Sequence, residues 1–176
     1  MKKLFIYTML LISIPFLVVN FVRVPDNSEL EEIDLDYLSN VLVRVKRGNG
    51  DISNVFLEEY VVGVVASEMP ASFELEALKA QSVASRSYVL RKLEHNKESD
   101  YDVVDTVSNQ VYLSDDELKA KWGDKYILYI NKIRQAVNET NMEYLEYNGE
   151  VIEAMFFSTS NGYTEDSGVV FSNSLP

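Results

Sequence analysis

The sequence predicts an α+β protein: an N-terminal transmembrane helix, then one mixed domain with a β-hairpin, two packed helices around Glu68, a third helix and a C-terminal β-hairpin. Three observations predict it. An uncharged apolar run, Leu4 to Val22, follows Lys2 and Lys3. Two stretches with helical character are separated by Met69-Pro70, and a proline turns the residue before it away from the helical region. β-rich runs surround glycine turns at Gly48-Asn49-Gly50 and Asn148-Gly149, the latter a strong short hairpin signal.

Taken in order, residues 1–3 form a cytoplasmic tail and residues 4–22 a transmembrane anchor, long enough to cross a bilayer core at about 1.5 Å per residue. The flank Val19-Asn20-Phe21-Val22-Arg23 puts bulky side chains where a signal peptidase requires small ones, which favours an uncleaved anchor over a signal peptide. Lys2 and Lys3 ahead of the span orient the rest of the chain outside the cytoplasm. Residues 23–40, with Asp26, Glu29, Glu31, Glu32, Asp34 and Asp36, read as a solvated acidic stalk.

The domain proper is assigned to residues 41–176. Val41 to Val45 and Ile52 to Phe56 form the first hairpin. Leu57 to Glu68 suits an apolar helix with Tyr60, Val61, Val64 and Val65 on one face, stopping before Pro70. Ser72 is the expected N-cap of a second helix running to about Leu93. Its interior, Ala77 to Tyr88, is rich in small residues that let another element approach closely. A third helix is expected over Asp124 to Asn141. Tyr144 to Tyr147 and Val151 to Phe157 form the last hairpin around Asn148-Gly149.

Composition narrows the chemistry. With 16 basic and 28 acidic residues the net charge is -12, the wrong sign for neutralising phosphates, so nucleic acid is excluded as a partner. There is no cysteine and one histidine, His95; thiolate and multi-histidine metal sites are impossible. His95 lies in the polar stretch Arg91 to Glu98 and reads as the solvated end of a helix, where the dipole favours it, and not as a triad base.

Glu68 is the candidate for catalysis. A carboxylic acid in the last turn of an apolar helix faces the negative end of the helix dipole, and burial adds a low-dielectric surround. Both favour the protonated acid that a glycan-cleaving site needs to deliver a proton to a glycosidic oxygen. Local spacing ties no second carboxylate to it, so the two-carboxylate arrangement of most glycoside hydrolases is neither indicated nor excluded. An exposed helix-end glutamate is the plain alternative.

The stretch Leu57 to Pro70, ending Ala66-Ser67-Glu68-Met69-Pro70, followed by Leu75 to Tyr88, resembles the family of stage II sporulation protein D. So do Asn109-Gln110-Val111-Tyr112 and Phe157-Ser158-Thr159-Ser160-Asn161-Gly162-Tyr163-Thr164-Glu165, in the same order. The resemblance implies a membrane-anchored lytic transglycosylase acting on peptidoglycan glycan strands already stripped of stem peptides. It implies work during engulfment of the forespore, at the mother-cell membrane facing the septum, with a peptidoglycan amidase and a membrane scaffold protein as partners. Glu68 would be the single acid/base. Arg86 would hold a lactyl carboxylate of the glycan or a loop carbonyl, with a core ion pair as the alternative. Ser158, Thr159 and Ser160 would bond sugar hydroxyls or satisfy backbone, and Tyr112 and Tyr163 would stack on sugar rings or pack.

Some relatives bind zinc through Cys and His near the Ser-Thr-Ser motif; here Met155, Phe156 and Phe157 stand there, so no metal or other cofactor is expected. Family members also continue well past the position of Pro176, so the glycan groove is expected to be incomplete. Two other functions stay open: a catalytically silent glycan-binding or amidase-partner scaffold, and a hydrolase using water and a distant carboxylate such as Asp105 or Glu165.

Overall fold

The computed structural model describes residues 40–157, 161–163 and 168. The expected tail at 1–3, the anchor at 4–22 and all but the last residue of the stalk at 23–40 lie outside the described residues. The membrane-spanning part of the expected fold class is corrected: no helix among the described residues is long and apolar enough to cross a membrane. The longest of them, Leu75–His95, carries Lys79, Arg86, Arg91 and Lys92 along its length. Among the described residues the fold class is α+β, with no membrane-spanning helix.

The first hairpin forms as expected. β1 (Leu42–Lys46) pairs antiparallel with β2 (Ile52–Phe56), from Leu42 opposite Phe56 to Lys46 opposite Ile52. Gly50 takes φ +92° in the turn, a conformation that favours glycine. Val43 and Val45 alternate inward and are fully buried. β2 then runs directly into α1 (Leu57–Glu68); in place of a side-chain cap, the Leu57 N–H donates to the Val41 carbonyl at 2.9 Å.

α1 buries Leu57 and every residue from Tyr60 to Ala66, more than the single apolar face expected. A helix apolar all round is one enclosed by its neighbours. It ends where Pro70 requires, with Met69 extended at φ -123°, ψ 140°. α2 (Leu75–His95) begins later than expected: Glu74, not Ser72, is its N-cap, and no side chain caps it. Ser82, Ser85 and Ser87 on α2 are fully buried, and the Ser87 hydroxyl accepts from the Leu145 N–H at 2.8 Å.

Beyond α2 the chain returns to the sheet. β3 (Val103–Val104) pairs parallel with β1, Val45 opposite Val103, so the strand order is β2-β1-β3. Arg44 of β1 fastens this return by gripping Asp102, with Nη2 to Oδ1 at 2.5 Å, and by donating to the Ser99 and Asn96 carbonyls.

The expected third helix, over Asp124 to Asn141, forms as Tyr126–Glu139, and a further helix that was not expected precedes it. α3 (Asp115–Trp122) has a full capping box, in which the Ser114 side chain accepts from the Glu117 N–H while the Glu117 side chain accepts from the Ser114 N–H. A 3-10 turn, Gly123–Lys125, leads into α4 (Tyr126–Glu139), which buries Ile130, Ile133, Ala136 and Val137. The last hairpin is shorter than expected: β4 (Glu146–Tyr147) and β5 (Glu150–Val151) turn through Asn148 and Gly149, both at positive φ. Residues 152–157 continue without strand pairing.

Candidate functional site

Glu68 is the last residue of α1 and is half-buried. Its position is set by a strap, Asn109 to Leu113, that crosses α1 at Gly63. An alanine Cβ at residue 63 would stand 2.4 Å from Tyr112 Cε2 and 2.5 Å from the Leu113 carbonyl oxygen. Only glycine admits so close a crossing, which is the physical use of an isolated glycine in an apolar helix.

Each strap residue has a distinct contact. The Val111 N–H donates to Glu68 Oε1 at 2.8 Å, fixing one oxygen of the carboxylate; among the described residues Oε2 receives no hydrogen bond. Gln110 is buried, accepting from the Tyr60 hydroxyl at 3.3 Å and donating to the Ser85 carbonyl at 3.5 Å. Asn109 accepts from the Val104 N–H at 2.8 Å and donates from Nδ2 to the Tyr88 hydroxyl oxygen at 3.0 Å. The Tyr112 ring stacks on Tyr60, centroids 5.3 Å apart, with the Arg47 guanidinium 5.0 Å from its centroid.

Burial keeps the Tyr60 and Tyr112 phenols neutral. Burial pushes the Tyr60 hydroxyl well above the ordinary tyrosine range, with Tyr88, Tyr112 and Glu68 adding to the shift. Burial also raises Tyr112, against the opposing charge of Arg47. Glu68 opens on a cavity of about 170 Å³ whose polar lining is Glu68, Asn109 and Tyr88 and whose apolar lining is Val107, Ala154, Met155 and Phe156. One carboxylate with a fixed oxygen, at the wall of a small cavity, is equipped to exchange a proton with a bound ligand.

The other expected site residues fall elsewhere. Arg86 has no exposed side-chain surface. Its Nε and Nη2 grip both oxygens of Glu58 at 2.8 and 2.6 Å, and Nη1 donates to the Glu143 carbonyl at 2.9 Å. This is the core ion pair, not a ligand-facing guanidinium. Tyr112 is 7% exposed and packs in the interior, whereas Tyr163 is 81% exposed. Ser158, Thr159, Ser160 and Glu165 lie outside the described residues. Asp105 is held by Arg47 at 3.2 Å and lines a different cavity, with Glu117 and Asp51. His95 is the exposed last residue of α2, as expected.

Sequence reasoning missed Tyr88, Asn109, Gly63 and the Val111 N–H as builders of this site. The signals were present as an isolated glycine in an apolar helix and as the unassigned polar residues of the motif Asn109-Gln110-Val111-Tyr112.

Fold and site together define an α+β domain in which a crossing strap presents the Glu68 carboxylate to a cavity. The chain belongs to the Stage II sporulation protein family, whose model matches residues 46–147, a span that holds Glu68 and the whole strap. It is 46% identical to Stage II sporulation protein D of Bacillus subtilis (strain 168) over 135 residues, 74% of this chain and 39% of that protein. It is likewise 46% identical to Stage II sporulation protein D of Bacillus amyloliquefaciens over 143 residues, 78% of this chain and 42% of that protein. An Amidase enhancer of Bacillus subtilis (strain 168) is 41% identical over 114 residues, 65% of this chain and 14% of its own length. The chain thus spans about two fifths of the sporulation proteins it matches.

Proposed function

We propose that this chain is a lytic transglycosylase of the bacterial cell wall, cleaving peptide-free glycan strands during sporulation, with Glu68 as its acid and its base. The observation that carries this reading is the half-buried Glu68 carboxylate, one oxygen held by the Val111 N–H and the group set in the wall of a cavity. The reaction needs one carboxyl group used twice. Protonated Glu68 gives its proton to the oxygen joining N-acetylmuramic acid to N-acetylglucosamine, and the bond from that oxygen to C1 breaks. The carboxylate left behind takes the proton of the muramic C6 hydroxyl as O6 bonds to C1, closing a 1,6-anhydro ring and restoring the acid. No water and no carboxylate nucleophile enter, which agrees with a cavity whose described lining holds Glu68 as its only carboxylate. The substrate lies outside the cytoplasm, and the domain would act there, in remodelling of the septal wall during engulfment.

A hydrolase would need a second carboxylate near the first. Asp105 does not serve, being paired with Arg47 in another cavity. The reading as a silent scaffold for glycan or an amidase is favoured by the likeness to a protein named as an amidase enhancer. Reaction products separate them. Peptide-free glycan strands incubated with the protein and with Glu68→Gln are to be analysed by mass spectrometry. Anhydromuramic ends are expected from the first and a loss of at least about a hundredfold from the second, the scale of a removed general acid. Undiminished cleavage by the variant would remove Glu68 from the mechanism, and no cleavage by either protein would favour the scaffold.

A further inference from the structure

Among the described residues the Tyr88 hydroxyl is left with a proton to donate, because of how Asn109 is held. The Val104 N–H can only donate, so the Asn109 atom facing it at 2.8 Å is the amide oxygen. The amide nitrogen therefore faces Tyr88 and donates to its hydroxyl oxygen at 3.0 Å. Tyr88 is the acceptor in that bond, and its own O–H has no acceptor among the described residues. The ring is 5% exposed and is held in place by the Lys92 ammonium, 5.0 Å from its centroid, with Lys92 itself paired to Glu153.

This donor stands in the wall of the cavity that Glu68 shares, and the rest of the wall includes Val107, Ala154 and Met155. A group that fits must bring one strong acceptor oxygen and a small apolar end. A sugar hydroxyl has no apolar end, and a carboxylate would set an unpaired charge against the apolar wall. An acetamido group meets both demands, its carbonyl accepting from Tyr88 and its methyl lying on the aliphatic side chains.

We infer that the cavity beside Glu68 is an N-acetyl recognition site, in which Tyr88, oriented by Asn109, donates to the acetamido carbonyl of a bound amino sugar. This rests on the reading of the site as glycan-binding and deepens it by assigning a determinant of substrate specificity. The full chain carrying Glu68→Gln, and the same chain with Tyr88→Phe added, would be titrated with peptide-free glycan strands, either N-acetylated or chemically de-N-acetylated. Phe keeps the ring and its Lys92 contact, and matched thermal melting would show that the fold is retained. N-acetylated strands should bind the Tyr88→Phe protein about tenfold more weakly, the scale of one hydrogen bond with its partner left unpaired. De-N-acetylated strands should not distinguish the two proteins.

Equal affinity of both proteins for N-acetylated strands would overturn the inference. So would the same loss on both kinds of strand, or a Glu68→Gln parent that binds no N-acetylated strand. Because the readout is binding by a chain lacking the acid, it is independent of turnover. An unmutated chain that makes no anhydro product while the binding pattern holds would refute the transglycosylase reading and leave the N-acetyl site standing.

Discussion

Glu68 owes its setting to two local events, a helix that must end before Pro70 and a backbone N–H brought to it from far along the chain. The first is written in neighbouring residues. The second depends on Gly63, where a methyl group would collide with the Leu113 carbonyl and the Tyr112 ring. The carbonyl is backbone and cannot swing aside, so the strap itself must move. Gly63→Ala should therefore destabilise the fold by about 1–3 kcal/mol, as overpacking does, and should weaken turnover by shifting the Val111 N–H off Glu68. Urea unfolding checks the first effect and product formation at saturating glycan the second. An alanine variant as stable and as active as the parent would contradict the close crossing.

At the scale of elements, α3 shows how a short polar helix is secured. Arg47 extends its capping box, with Nη2 2.5 Å from Glu117 Oε2, tying the first hairpin to the helix N-terminus. Burial pushes Glu117 up, but Ser114 and Arg47 outweigh it and hold the carboxyl below its ordinary 4.5. Lys119 and then Tyr126 hold Asp115 below its ordinary 3.8. The folded chain thus takes up these protons less readily than the unfolded chain. Their stabilisation is complete above the ordinary values and drains away as pH falls through the lower folded ones. Urea midpoints should decline as pH drops below about 4.5, and Glu117→Gln should make that decline shallower. A variant with the same acid profile as the parent would show that the cap does not contribute. The capping box was legible as Ser114-Asp115-Asp116-Glu117 and was overlooked, because Asp115 to Trp122 has too few apolar residues to register as a helical period and buries only Leu118.

For the whole molecule, Arg86 is the tie between the helices. It sits on α2, grips Glu58 of α1, and donates to the Val137 carbonyl of α4 at 3.4 Å and to the Glu143 carbonyl beyond it. Truncating it leaves Glu58 without its counter-charge. Arg86→Met should cost about 3 kcal/mol, the low end for a broken buried pair, since the Glu58 side chain stays 25% exposed. Adding Glu58→Leu should recover part of the loss. A glycan KM raised by Arg86→Met with unchanged stability would instead return Arg86 to the substrate site.

The sequence by itself determined both hairpin turns and the end of α1 at Pro70, because turn glycines and the pre-proline restriction act between residues a few positions apart; Glu68 was marked by that helix end and by the family motifs around it. The tertiary structure alone decided that Arg86 faces inward, that α1 is enclosed from Tyr60 to Ala66, that β3 returns parallel to β1, and that Tyr88, Asn109 and the Val111 N–H meet at Glu68. Those outcomes join residues 21 to 58 positions apart, and which of many polar side chains meets which is settled only when the core packs. Glu68 could be singled out from its neighbours in sequence; the cavity beside it could not, because its walls come from α1, α2, the strap and the segment after β5.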